Sequence, residues 1–277
     1  MVEQIPYLSP FQRRSVSTTQ ELYETSNRSS NRIATGRRVS QPIDAPVDFF
    51  RAKALSDSLS DLGSVKGSIS VGRSTLQATN VGLEAVEQFS RQLLGIAEYA
   101  KSAETSEQRL ALSEQFNEVR QQIDNLVGDT SYLGVNLLNS TGSVKTTSVG
   151  TGTESSVVSE GTDQTVNALG IADASATYND FATLSDITNA IGDVRRAIDQ
   201  VRSTQSDYTT DLSVLGVRES FTEELSNTLQ AGVDDLVNAD LNEEAAVQLS
   251  ANVRSALSIE SQRILAQGDS LLLGLVQ

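Results

Sequence analysis

The sequence contains no cysteine, no histidine and no tryptophan. Without cysteine there is no disulfide, no thiolate nucleophile and no thiolate metal site. Without histidine there is no imidazole base and no His-x-x-x-His zinc helix. Carboxylate and lysine chemistry remain open. Aromatic residues make up only 5% of the chain, and there are 4 prolines. A compact globule usually anchors its core on large aromatic rings. Here the apolar content is Leu, Val, Ile and Ala, which suits long helices packed along seams. No run of 18 apolar residues occurs, so no membrane-spanning helix is expected. The stretch Met1 to Tyr7 lacks the basic and apolar regions of a secretory signal peptide, which on its own predicts a cytoplasmic protein.

The net charge of −15 disfavours nucleic acid, whose phosphates require basic patches. The charge is uneven. Residues 1–40 carry six arginines against Glu3, Glu21 and Glu24, whereas Glu219 to Glu244 carries eight acids and no base. The two stretches could attract each other within one subunit or between subunits, or form two solvated helix faces. The acidic doublets Glu223-Glu224, Asp234-Asp235 and Glu243-Glu244 are read as solvated surface. Adjacent helical residues diverge and do not converge on one substrate. No catalytic, cofactor-binding or metal site is assigned, and an enzyme is not expected.

Four segments carry helical periodicity. In the first, about Val47 to Ala100, Leu55, Leu62, Ile69, Leu76 and Leu83 recur every seven residues. A sustained repeat of this kind indicates a coiled-coil-like seam. The second runs from Ser106 to Val127. The third, Phe181 to about Leu236, includes Ile191, Val194, Ile198, Val201, Leu212 and Leu215 at alternating spacings of three and four. The fourth runs from about Leu241 to the end, with Leu249 and Val253 leading into Leu257, Ile264 and Leu271, the last three seven apart. Between Ser15 and Ile33 a more polar helix is expected. Pro6 and Pro10 exclude a regular helix interior before it, Gly36 is its stop, and Pro42 and Pro46 bracket a non-helical linker.

Residues 140–180 differ. Ser and Thr make up half of Ser140 to Thr165. Val144–Val149 and Ser155–Val158 are candidate strands of a hairpin. The expectation is an exposed loop or small β excursion at the end of a helical rod.

Several blocks carry a family resemblance. Arg32-Ile33-Ala34-Thr35-Gly36-Arg37-Arg38-Val39 resembles the flagellin block Arg-Leu-Ser-Thr-Gly-Lys-Arg-Ile, and Pro42-Ile43-Asp44-Ala45-Pro46-Val47-Asp48 stands where that family has an Asp-rich turn. Tyr132-Leu133-Gly134-Val135-Asn136-Leu137-Leu138 is similar to the family's Phe-Asn-Gly-Val-Asn-Leu-Leu. Leu215-Gly216-Val217-Arg218, Ala239-Asp240-Leu241-Asn242-Glu243-Glu244-Ala245 and Leu271-Leu272-Leu273 match later blocks, the second in its alphaproteobacterial form. Taken in order, the blocks resemble a bacterial flagellin of minimal form, with inner and rod domains only. The start, Ile5-Pro6-Tyr7-Leu8-Ser9-Pro10, departs from the usual Ile-Asn-Thr-Asn-like run. The Pro42 and Pro46 turn is also similar to that of the hook–filament junction protein, a homologue and the alternative reading. A soluble coiled-coil adaptor is a third.

The resemblance implies an all-α-dominated fold: a long antiparallel coiled-coil helical rod with a small β-hairpin or loop excursion, and paired N- and C-terminal helices. It implies an inner domain from residues 1–42 and 236–277, a rod from 43–139 and 181–235, and a variable region at 140–180. The implied function is a structural subunit that polymerises into the flagellar filament for motility. Expected partners are other copies, the flagellar export apparatus, and cap and hook-associated proteins, with no nucleic acid, membrane insertion or cofactor. The expected location is extracellular, reached by type III export. Leu55, Leu62, Ile69, Leu76, Leu83, Ile191, Val194, Ile198, Val201, Leu212 and Leu215 are the expected rod core. Leu249, Val253, Leu257, Ile264 and Leu271 are the expected assembly seam, buried against the N-terminal arm or a neighbouring subunit. By analogy with the family, Thr146, Thr147, Ser148, Thr151, Thr153, Ser155 and Ser156 are candidate O-glycosylation positions; the alternative is an unmodified loop.

Overall fold

The computed structural model describes residues 10–152 and 155–275 of the chain. Five helices dominate: α1 (Pro10–Thr35), α2 (Pro46–Ser102), α3 (Ser106–Asp129), α4 (Leu184–Val237) and α5 (Leu241–Leu275). A two-stranded antiparallel sheet, β1 (Val144–Ser148) with β2 (Ser156–Glu160), is the only sheet among the described residues. Pro10 and Pro46 each stand at the first position of a helix, where proline's missing N–H is no loss.

The residues form two compact units, one reaching to Ser58 and resuming at Thr228, the other running from Leu59 to Asn227. The divisions thus fall inside α2 and α4, not in the Pro42–Pro46 linker.

The helix ends explain several of the sequence blocks. Gly36, with φ of 68°, ends α1 in the left-handed conformation. Arg38 N–H then donates to Val237 O at 2.7 Å and Ala239 N–H to Gly36 O at 3.0 Å, tying the α1–α2 turn to the α4–α5 turn within the first unit. Asp44 Oδ2 accepts Ser40 N–H and Gln41 N–H, both at 3.0 Å. These backbone donors hold its carboxyl below the usual range. Asp240 caps α5, its Oδ1 accepting Asn242 N–H at 2.8 Å. Thr105 and Gln108 form a reciprocal capping box on α3.

The Tyr132–Leu138 block is a tight turn followed by a cap. Tyr132 and Val135 exchange backbone hydrogen bonds at 2.9 and 3.0 Å around Leu133 and Gly134, whose φ values are 50° and 78°. Asn136 Nδ2–H then donates to Val127 O at 2.7 Å, satisfying a carbonyl at the end of α3. Leu137 and Leu138, next in line, are fully buried.

In the second unit, α2 and α4 run antiparallel, as their ion pairs require: Arg202 with Glu87, Arg195 with Glu98, Lys66 with Glu223, and Arg73 with Glu219. Between them and α3 lies one continuous core. It contains Ile69, Leu76, Leu83, Leu93, Phe116, Ile123, Val194, Val201 and Leu215. The backbone approaches closely at Gly82, where an added Cβ would fall 2.6 Å from Thr130 Cγ2.

The expectation of an exposed loop at residues 140–180 is corrected. The hairpin forms, but Thr147, Val149 and Ser159 are buried, and Val166, Leu169, Ile171, Ala174 and Tyr178 belong to the main core, as does Phe181 just after the segment. Phe116 meets Phe181 edge-on at 5.5 Å between ring centroids. Tyr208 on α4 anchors this segment, its hydroxyl lying 2.9 Å from Glu160 O and 3.2 Å from Leu137 O. A polar, Ser/Thr-rich composition concealed this, because the burial is carried by isolated residues without periodicity.

Candidate assembly surface

Each predicted core residue can be placed. Leu62, Ile69, Leu76, Leu83, Ile191, Val194, Ile198, Val201 and Leu215 are buried. Leu55 and Leu212 are half-buried. Leu55 lies outside the second unit and faces Gly232 in the first.

The assembly seam behaves differently. α1 and α5 pack antiparallel. The residues between them are Ser15, Thr19, Leu22, Ser26, Ser29 and Ile33 on α1, and Glu244, Gln248, Ala251, Ser255, Ser258 and Gln262 on α5. Both sets follow alternating spacings of four and three, a coiled-coil seam in which most positions are small or polar. Ser258 Oγ lies 2.9 Å from Thr19 Oγ1 and 3.4 Å from Ser15 Oγ. Gln262 Nε2–H donates to Ser15 Oγ at 2.9 Å, and Ser26 Oγ–H to Asn252 Oδ1 at 2.8 Å.

At the base of the seam, Arg32 Nη1–H donates to Glu244 Oε1 at 2.7 Å, with Ser29 beside it. Burial works against ionisation of Glu244. The hydrogen bonds from Ser29 and Arg32 and the charges of Arg32 and Arg28 outweigh it and hold the carboxyl below its usual value of 4.5. The basic arm and the acidic stretch therefore do meet within one chain, at this pair.

Leu249, Val253, Leu257 and Ile264 do not face α1. They are 66, 50, 66 and 62% exposed, which corrects the expectation that the N-terminal arm covers them. The physical reason is that small hydroxyl-bearing residues let two helices approach and pair, so the polar stripe turns inward and the apolar one is left outside. The side chain of Leu271 lies outside the described residues. The inward stripe was missed on reading the sequence because only apolar spacing was counted; the same alternation of four and three in Ser, Thr, Ala and Gln was there to be found.

Of the candidate sugar positions, Thr147 is buried against Gly72 and offers no attachment point. Thr146, Ser148, Thr151 and Ser156 are exposed and Ser155 is half-buried. Thr153 lies outside the described residues. Of the acidic doublets, Glu223 is paired with Lys66 and Glu244 with Arg32. No described helix is long and apolar enough to cross a membrane.

The family of the bacterial flagellin N-terminal helical region matches residues 12–143. The chain is 27% identical over 251 residues to flagellin FljK of Caulobacter vibrioides, covering 88% of each chain. It is 26% identical over 263 residues to flagellin FljM of the same organism, covering 94% of this chain and 92% of that one. A putative flagellar hook-associated protein from Vibrio parahaemolyticus has a similar fold, with a TM-score of 0.60 at 12% identity over 70% of this chain and 100% of that one. The paired terminal helices, the antiparallel α2–α4 core and the capped turns at Gly36, Leu133 and Asp240 thus sit in a chain whose residues 12–143 match the bacterial flagellin N-terminal helical region and which is similar to curated bacterial flagellins along nearly its whole length.

Proposed function

We propose that this chain is the subunit that polymerises into the flagellar filament. The observation that carries this reading is the outward stripe of Leu249, Val253, Leu257 and Ile264 on α5. A contiguous exposed apolar stripe marks an interaction site. Burying each such side chain contributes roughly 1.5–3 kcal/mol, so four of them supply a substantial driving force for association. The inward face of the same helix is already satisfied by hydroxyl pairing, which leaves the apolar face for other copies. In this reading the protein works outside the cell. It leaves through the flagellar type III export apparatus and meets cap and hook-associated proteins at the ends of the filament.

Negative-stain microscopy of the concentrated protein tests the proposal. Long helical filaments are the expected result. A protein that stays monomeric at every concentration, alone or seeded, is not a filament subunit. The Pro42–Pro46 turn favours a second reading, the hook–filament junction, for which short caps on hook ends replace long filaments.

A further inference from the structure

A groove of 530 Å³ lies between α2 and α4 in the second unit, lined by Asn80, Glu84, Ser206, Thr209, Thr210 and Ser213. Its walls accept more hydrogen bonds than they offer. Thr209 donates its hydroxyl proton to Gln205 O at 2.7 Å, Thr210 to Ser206 O at 3.0 Å and Ser213 to Thr209 O at 2.9 Å. Each hydroxyl therefore has only lone pairs left to present. Asn80 Oδ1 is buried with no hydrogen-bond partner, and a buried acceptor without a donor is destabilising. Glu84 is exposed and makes no ion pair among the described residues, while Arg202 at the end of the groove is already held by Glu87 at 2.8 Å. Acceptors around an unpaired carboxylate fit a cation with several N–H donors, and the guanidinium fork is the side chain that supplies them.

The same unit carries a matching group. Arg218 on α4 is exposed, and of the arginines between Leu59 and Asn227 it alone has a guanidinium with no hydrogen bond or ion pair among the described residues. Val214 and Phe221, both exposed and four and three residues from it on the helix, share its face and lie beside it. An arginine beside exposed apolar side chains is a common form of interface hot spot. The groove and the Arg218 face are different surfaces of one chain. A contact between them is heterologous, the kind that builds an open helical polymer when its rotation does not close into a ring.

We propose that Arg218 of one copy docks in the Glu84–Asn80 groove of the next. This rests on the filament reading. The test is a charge swap read as critical concentration by sedimentation of the full chain. Glu84→Arg and Arg218→Glu are each expected to raise it by about tenfold or more, the cost of one lost charge-assisted contact. The double variant, which reverses both charges, is expected to recover most of that loss. Both positions are exposed, so circular dichroism of the soluble protein should not change. Single variants that assemble at the wild-type concentration overturn the contact, as does a double variant no better than either single. If the wild type itself forms no filaments, the polymer reading falls first and this contact with it.

Discussion

Thr19 and Ser258 share a hydroxyl–hydroxyl hydrogen bond of 2.9 Å across the seam of α1 and α5. Where a coiled coil would ordinarily bury leucine, this one aligns small hydroxyl side chains. Their hydrogen bonds set register, but each contributes only about 0.5–1.5 kcal/mol net. The larger apolar contribution is held on the outer face of α5. In the proposed filament, folding of the chain and association between copies draw on opposite faces of one helix, which makes them separable by mutation.

The first prediction follows. Ile264→Asp should leave the α1–α5 pair intact in the soluble protein, because the side chain is 62% exposed there. It should abolish filaments, since a carboxylate buried in an apolar contact has no partner. Helical content by circular dichroism and filament yield by microscopy report the two effects. Normal filaments from this variant would remove the α5 stripe from the interface.

Acid should loosen the terminal helices. The Glu244 carboxyl titrates below 4.5 in the folded chain, so its pairing with Arg32 stabilises fully above the ordinary Glu range. That stability is lost as pH falls through the depressed folded value. Thermal melts followed by circular dichroism from neutral pH downward should show an early loss of helix in acid. Glu244→Gln should be less stable at neutral pH and should flatten that step. An unchanged pH profile in this variant would assign the acid sensitivity to other carboxylates. Glu87, held low by its hydrogen bonds to Arg91 and Arg202, is the leading one.

Leu133 sits at φ of 50° and is 75% exposed, so it pays a left-handed backbone cost with little packing in return. Asn tolerates that conformation better. Leu133→Asn should therefore stabilise the second unit by about 1 kcal/mol and raise its melting temperature. A lower melting temperature would mean that the leucine makes packing contacts outweighing the strain.

Two glycines of α2 should respond in opposite ways to alanine. At Gly63 an added methyl meets open space, and the gain in helix propensity is about 0.5–1 kcal/mol. At Gly72 the methyl would overlap the buried Thr147 side chain of β1. Gly72→Ala should displace the hairpin and lower the melting temperature. Equal stabilisation at both sites would show that the hairpin does not rest on α2.

The chain's order of residues determined its helices. Leu62, Ile69, Leu76 and Leu83 recur at seven-residue intervals, and that period is enough to place a helix and its buried stripe. The turn blocks were legible too, because Gly36, Gly134, Asn136 and Asp240 each act on neighbours a few residues away. Two features were decided only by tertiary structure. Residues 140–180 enter the core through single contacts such as Tyr178 on Phe116 and the Tyr208 hydroxyl at Glu160 O, which bring together residues far apart in the chain and leave no local period. The choice of which α5 face meets α1 was likewise invisible, since either stripe has the spacing of a seam. What decided it was the partner: α1 offers Ser15, Thr19, Ser26 and Ser29, and hydroxyls buried between helices need hydroxyls, amides or carboxylates opposite them, which only the polar face of α5 provides.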